Sequence, residues 1–72
     1  MMQFDYRGLK CPIPVLKAFK DIKKNPEIKL YEFICDDKTA PKDFKDLCSN
    51  IGLKLSKVID KKNFYIIIIS RN

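Results

Sequence analysis

Four consecutive isoleucines, Ile66 to Ile69, narrow the folds open to this chain more than any other stretch of it. Successive strand residues point to opposite faces, so an extended run of isoleucine is apolar on both sides. At a sheet edge such a strand would present a sticky template for pairing with other chains, and it is therefore expected inside a sheet. The chain has 72 residues, of which 46% are hydrophobic. That is room for one domain, residues 1–72, with one thin core. Every other element has to be arranged around this strand.

Hydrophobic periodicity supplies those elements. Gln3 to Arg7 alternates Phe4 and Tyr6 with polar neighbours and reads as a first strand. A turn at Gly8-Leu9-Lys10 leads into a helix whose first position suits Pro12, with Pro14 still inside the first turn, where no intrahelical N–H is required. Val15, Leu16, Phe19 and Ile22 recur at helical spacing and are expected inward, with Lys17, Lys20, Lys23 and Lys24 mostly on the other side. Asn25-Pro26 ends the helix. Ile28 to Cys35 is a second strand, and its Tyr31, Phe33 and Cys35 side is expected to face inward rather than the side shared by Leu30, Glu32 and Ile34. Thr39 can cap a second helix, with Pro41 near its start, an apolar stripe at Phe44, Leu47, Cys48 and Ile51, and Gly52 as its stop. Leu53 to Ile59 and Phe64 to Ser70 then form two strands joined by Asp60-Lys61-Lys62-Asn63. The order β-α-β-α-β-β with right-handed crossovers predicts an α+β fold. It is a two-layer α/β sandwich in which a four-stranded mixed sheet carries both helices on one face.

Charge and cysteine usage bound the chemistry. Fifteen Lys and Arg stand against nine Asp and Glu, a net charge of +6. Such a surface attracts acidic proteins or polyanions. A small basic RNA-binding module is thus an alternative, but no RNA-binding signature occurs and the basic residues spread over several elements, so a nucleic acid is expected only as an indirect partner. Three cysteines without a Cys-x-x-Cys pair, and no histidine, speak against a disulfide framework, a zinc site or a Cys–His dyad. Neither metal nor cofactor is expected. No apolar segment has signal-peptide length, and Phe64 to Ile69, the longest apolar run, is too short to span a bilayer. The expectation is a cytoplasmic protein without membrane contact, where thiols stay reduced.

The three cysteines differ in kind. Cys11 lies in Arg7-Gly8-Leu9-Lys10-Cys11-Pro12-Ile13-Pro14-Val15, at the mouth of the first helix. Unpaired N–H groups and the positive end of the helix dipole favour a thiolate there, and Arg7 and Lys10 add positive charge nearby. Cysteine is not a favoured N-cap residue, so its presence at this position points to chemistry. Pro12 and Pro14 would fix the backbone so that the sulfur projects outward. Cys48 belongs to the apolar stripe of the second helix and reads as a small buried hydrophobe, and Cys35 at a strand end reads as structural. Asp36 and Asp37 are expected in a turn or cap. A thiol redox sensor is a further alternative, but it needs a resolving cysteine near Cys11, and Cys35 and Cys48 are far from it in sequence.

Residues 7–15 resemble the signature of the TusA/SirA-like sulfur-carrier family, whose hallmark is Cys-Pro-x-Pro at the start of the first helix. The likeness continues through Asp36-Asp37, Lys42-Asp43, Cys48 and the closing hairpin, and so covers essentially the whole chain. It implies a sandwich similar to the C-terminal domain of bacterial translation initiation factor three. It also implies a sulfurtransferase-type relay in which Cys11 accepts sulfane sulfur as a persulfide from a cysteine desulfurase or another persulfide donor. A downstream sulfur-acceptor protein then takes it, for tRNA thiolation, molybdenum-cofactor synthesis or a related sulfur or selenium pathway. Pro12, Pro14, Arg7 and Lys10 would position or stabilise that persulfide in a chain acting as a monomer.

Overall fold

The computed structural model describes residues 2–10 and 13–71. In chain order the elements are β1 (Met2–Asp5), α1 (Ile13–Lys24), β2 (Leu30–Cys35), α2 (Ala40–Ile51), β3 (Lys54–Asp60) and β4 (Tyr65–Ser70). The sheet order is β1-β2-β4-β3, with β1 parallel to β2 and the other pairs antiparallel. The isoleucine strand is therefore interior, as its two apolar faces require. Ile67 and Ile69 are fully buried against the helices, whereas Ile66 and Ile68 lie half-buried on the other face.

Both helices pack on the face that carries Tyr31, Phe33 and Cys35, the side of β2 expected to be inward. Phe33 is the centre of that layer. Its ring lies 5.3 Å from Phe4, 5.4 Å from Tyr6, 6.2 Å from Tyr31 and 5.2 Å from Phe44, centroid to centroid, so it touches β1, its own strand and α2 at once. Such offset and tilted ring pairs add to the burial of apolar area. On β3 the register slips at Ser56, between Leu55 and Lys57. This extra residue lets Leu55 face Ile69 and Val58 face Ile67 on the same side of the sheet, although three positions separate them.

Three expectations need correction. Leu16 does not join the inward stripe of α1. The buried positions are Pro14, Ala18 and Ile22, and Leu16 is 58% exposed. At about 100° per residue Leu16 stands roughly 200° around the helix from Ala18, whose small side chain lets α1 approach the sheet. Thr39 occupies the N-cap position of α2, yet its hydroxyl bonds Asp37 at 2.8 Å and makes no cap to the helix backbone. Strand ends also move by one or two residues. β1 stops at Asp5 because the chain turns at Arg7-Gly8, and β2 starts at Leu30 because Ile28 still closes the loop with its N–H on the Asn25 carbonyl. The stop at Gly52 holds. With φ +76° it lets the Leu53 N–H reach back to the Cys48 carbonyl at 3.0 Å.

This topology gives the molecule two unlike ends. One gathers the carboxyl ends of β1, β2 and β3 with the amino ends of both helices. The other gathers the carboxyl ends of both helices, the starts of β2 and β3, and the end of β4.

Phe33→Ala should cost about 3–5 kcal/mol, because it empties the contact point of two layers. Stability on the order of 0.05–0.15 kcal/mol per residue amounts to about 4–11 kcal/mol for 72 residues, so a quarter or more of it should be lost. Urea denaturation followed by circular dichroism measures this as a large fall in midpoint.

Candidate functional site

The described residues leading to α1 are held by a series of hydrogen bonds. The Tyr6 N–H bonds the Ile34 carbonyl at 2.8 Å, which carries the β1–β2 pairing one step past the strand. The chain then turns, with the Leu9 N–H on the Tyr6 carbonyl at 3.2 Å and Gly8 at φ +89° in the third position, where a positive φ favours glycine. The Gly8 N–H donates to both carboxylate oxygens of Asp36, at 3.1 and 3.0 Å. Beyond it, the Ile13 N–H bonds the Lys10 carbonyl at 2.8 Å. Cys11 and Pro12, the expected centre of the site, lie outside the described residues; the chain on each side of them is placed. Lys10 and Ile13 are exposed and Pro14 is buried in the first turn of α1, which holds no acidic residue.

Arg7 is engaged elsewhere. Its guanidinium meets Asp5 at 2.7 and 3.0 Å, its backbone N–H bonds the same carboxylate at 3.1 Å, and it lies 5.7 Å from the centre of the Phe64 ring. The hydrogen bonds from Arg7 hold the Asp5 carboxyl down to about 2. Its charge is thus largely matched within the loop.

Two interactions went unforeseen. Asp37 does make the turn, accepting the Thr39 N–H at 2.9 Å. Asp36, by contrast, reaches across to Gly8, 28 residues away, a pairing with no local pattern to betray it. The Tyr6 hydroxyl donates to Asp21 and ties α1 to the end of β1; burial and that carboxylate push the phenol pKa up. The loop is therefore anchored to β2 through Asp36 and to α1 through Tyr6.

Beside the helix start stands an apolar ridge. Ile13 is 50% and Leu16 58% exposed. On one side a shallow groove between the helices, floored by Val15, Phe19 and Leu47, is rimmed by Asp43 and Asp46. On the other side the ridge meets Lys17 and Lys20. The described thiols are of the opposite character. Cys35 and Cys48 are buried. Desolvation first, then Asp36, Asp37 and Asp5, push the Cys35 thiol up to about 12, and burial pushes Cys48 up to about 11. Both are un-ionised and poor nucleophiles at neutral pH. Among the described residues no helix is long and apolar enough to cross a membrane.

Comparison with known proteins bears on the family and the fold. The profile of the family described as sulfurtransferase TusA matches residues 2–71. Two Neisseria meningitidis proteins, from serogroups A and B, bear the designation of candidate sulfur carrier proteins. Each is 28% identical over 65 residues, 90% of this chain and 88% of the relative. The crystal structure of a SirA-like protein from Desulfitobacterium hafniense superposes with a TM-score of 0.85 at 19% identity, covering 100% of this chain and 99% of the other, a likeness of fold.

The buried thiols set a pH dependence. Their pKa values are raised above the ordinary 9.0, so the unfolded chain gives up these protons first as pH rises. Stability from this source is complete below about pH 9 and declines as pH climbs toward about 11, and the raised Tyr6 phenol acts with the same sign. The urea midpoint should fall between about pH 8.5 and 10.5, and Cys35→Ala should show a shallower fall.

Proposed function

The chain belongs to the sulfurtransferase TusA family, and on that premise we propose that it is a sulfur carrier whose working thiol is Cys11. The Cys11 thiolate attacks the terminal sulfur of a donor persulfide. The donor's S–S bond breaks, its cysteine leaves as thiolate, and Cys11 holds the sulfur as its own persulfide. An acceptor thiolate or an activated substrate then takes that sulfur and releases the Cys11 thiolate, by the chemistry of thiol–disulfide exchange. A cysteine desulfurase is the donor that suits this step. tRNA thiolation, molybdenum-cofactor synthesis and related sulfur or selenium pathways are the outlets in view. The reduced thiol suits the cytoplasm.

The observation that carries this reading is the contrast among cysteines. Cys35 and Cys48 are enclosed and held in the thiol form, while Cys11 comes two residues before a helix whose first turn contains no carboxylate. A helix N-terminus of that kind favours a neighbouring anion, by about 0.3–1 kcal/mol at an exposed position. Lys10 is the cation we assign to steering and to the persulfide anion. Arg7, matched by Asp5, serves mainly to shape the loop. Pro14, buried in the first turn, holds the start of α1, and to Pro12 we assign the positioning of Cys11.

Incubation with a cysteine desulfurase and cysteine should add one sulfur to the peptide carrying Cys11, read by peptide mass spectrometry. The label should vanish in Cys11→Ser and persist in Cys35→Ser. Acceptance that survives in Cys11→Ser, or equal labelling of all three cysteines, overturns the assignment.

The ridge of Ile13 and Leu16, with Lys10, Lys17 and Lys20 beside it, is the surface we assign to the donor. Lysines there should raise the association rate, which should fall as salt rises. Leu16→Ser removes an exposed anchor without touching the core, and should weaken donor binding by about fivefold or more at unchanged thermal stability. Association that ignores both salt and Leu16 removes this surface from consideration.

A further inference from the structure

The net positive charge of the chain is not spread evenly. At the end where the Cys11 segment enters α1, six cations (Arg7, Lys10, Lys38, Lys42, Lys61 and Lys62) are nearly balanced by Asp5, Asp36, Asp37, Asp43 and Asp60. The opposite end differs. There Lys23 and Lys24 close α1, Lys29 precedes β2, Lys54 opens β3 and Arg71 follows β4, while the nearest described acidic residues are Glu27 and Asp21, the latter in the last turn of α1 and bonded by the Tyr6 hydroxyl. The Arg71 N–H on the Lys29 carbonyl, at 2.8 Å, confirms that these segments adjoin.

In the middle of this basic end lies an apolar groove of about 260 Å³. Phe19, Ile22, Ile51 and Leu53 line it between the two helices, and Lys23 and Arg71 stand among them. Among the described residues, neither cation forms an ion pair with a carboxylate. The Arg71 guanidinium donates to the Tyr31 hydroxyl at 2.8 Å and the Ile28 carbonyl at 3.3 Å, both neutral, and these bonds fix it in place. The Lys23 ammonium lies 4.7 Å from the centre of the Phe19 ring.

We propose that this groove docks an acidic amphipathic segment of a partner protein, with leucine or isoleucine side chains in the groove and carboxylates on Lys23 and Arg71. The volume is below the roughly 300–1,000 Å³ that encloses a small-molecule ligand, and it suits a few aliphatic side chains instead. An apolar stripe entering a groove beside cations is the usual geometry of helix-in-groove recognition. A nucleic acid fits less well, because single-stranded bases need open aromatic faces for stacking, and Phe19 is already covered by Lys23. A partner held here leaves the Cys11 end of the molecule uncovered. The site does not rest on the sulfur chemistry.

The test uses the whole chain, labelled with nitrogen-15, titrated with a synthetic helical peptide carrying leucine at i, i+3, i+4 and i+7 and glutamate elsewhere. Amide shifts should concentrate at Ile22, Ile51 and Leu53. Lys23→Glu should weaken binding by about fivefold or more, and exchanging the leucines of the peptide for serine should weaken it by about tenfold. Cys11→Ser should bind as the parent chain does, which separates this site from the sulfur assignment. The proposal is overturned if no shifts appear up to about 1 mM peptide. It is equally overturned if shifts centre on Ile13 and Leu16, or if the serine peptide or a polyuridine strand of equal charge binds the basic end as tightly.

Discussion

Phe33 is where the two layers of this protein are joined. Its ring meets residues of β1, β2 and α2, and its strand runs beside the isoleucines of β4, so sheet and helix layers share one contact point. A domain this small has no second core to fall back on. What positions the loop before α1 follows from that packing. Once β1 is fixed against β2, Tyr6 emerges under α1 and Gly8 emerges beside Asp36. The described flank of the candidate site is thus assembled by backbone turns whose anchor points are core strands.

Much of this was legible in the sequence because hydrophobic pattern is a local signal. The isoleucine run placed β4 inside the sheet, and the stripe of Phe44, Leu47 and Cys48 predicted the buried face of α2 and the burial of its thiol. Where the pattern misled, a tertiary choice was involved. Leu16 fits an inward stripe as well as Ala18 does by spacing, and only the distance between α1 and the sheet decides between them, in favour of the smaller residue. The Ser56 bulge, the Asp36 bridge and the preference of the Thr39 hydroxyl for Asp37 depend on partners in space or on competition between near-equal hydrogen bonds. No window of sequence contains that information.

The outward turn of Leu16 matters to function. A large exposed aliphatic side chain on a small basic domain loses hydration free energy that a core position would recover. Here it stands with Ile13 at the helix start that Cys11 precedes, on the surface proposed above for the sulfur donor. The two ends of the molecule therefore offer different recognition chemistry. One has an apolar ridge with lysines on one flank and aspartates on the other, and the other an apolar groove among cations.

The bulge on β3 also bears on chain length. Leu55 pairs with Ile69 and Lys57 with Ile68, so Ser56 stands between consecutive rungs of the ladder without a rung of its own. A chain lacking Ser56 would keep every cross-strand partner, and would give up only the bend of the strand and the 2.7 Å contact between the Ser56 and Ser70 hydroxyls. A chain lacking Leu55 instead would slide Ser56 over Ile69 and set a hydroxyl on the core side. β3 thus carries one spare residue, and which neighbour is removed decides whether a shortened strand is silent or ruinous.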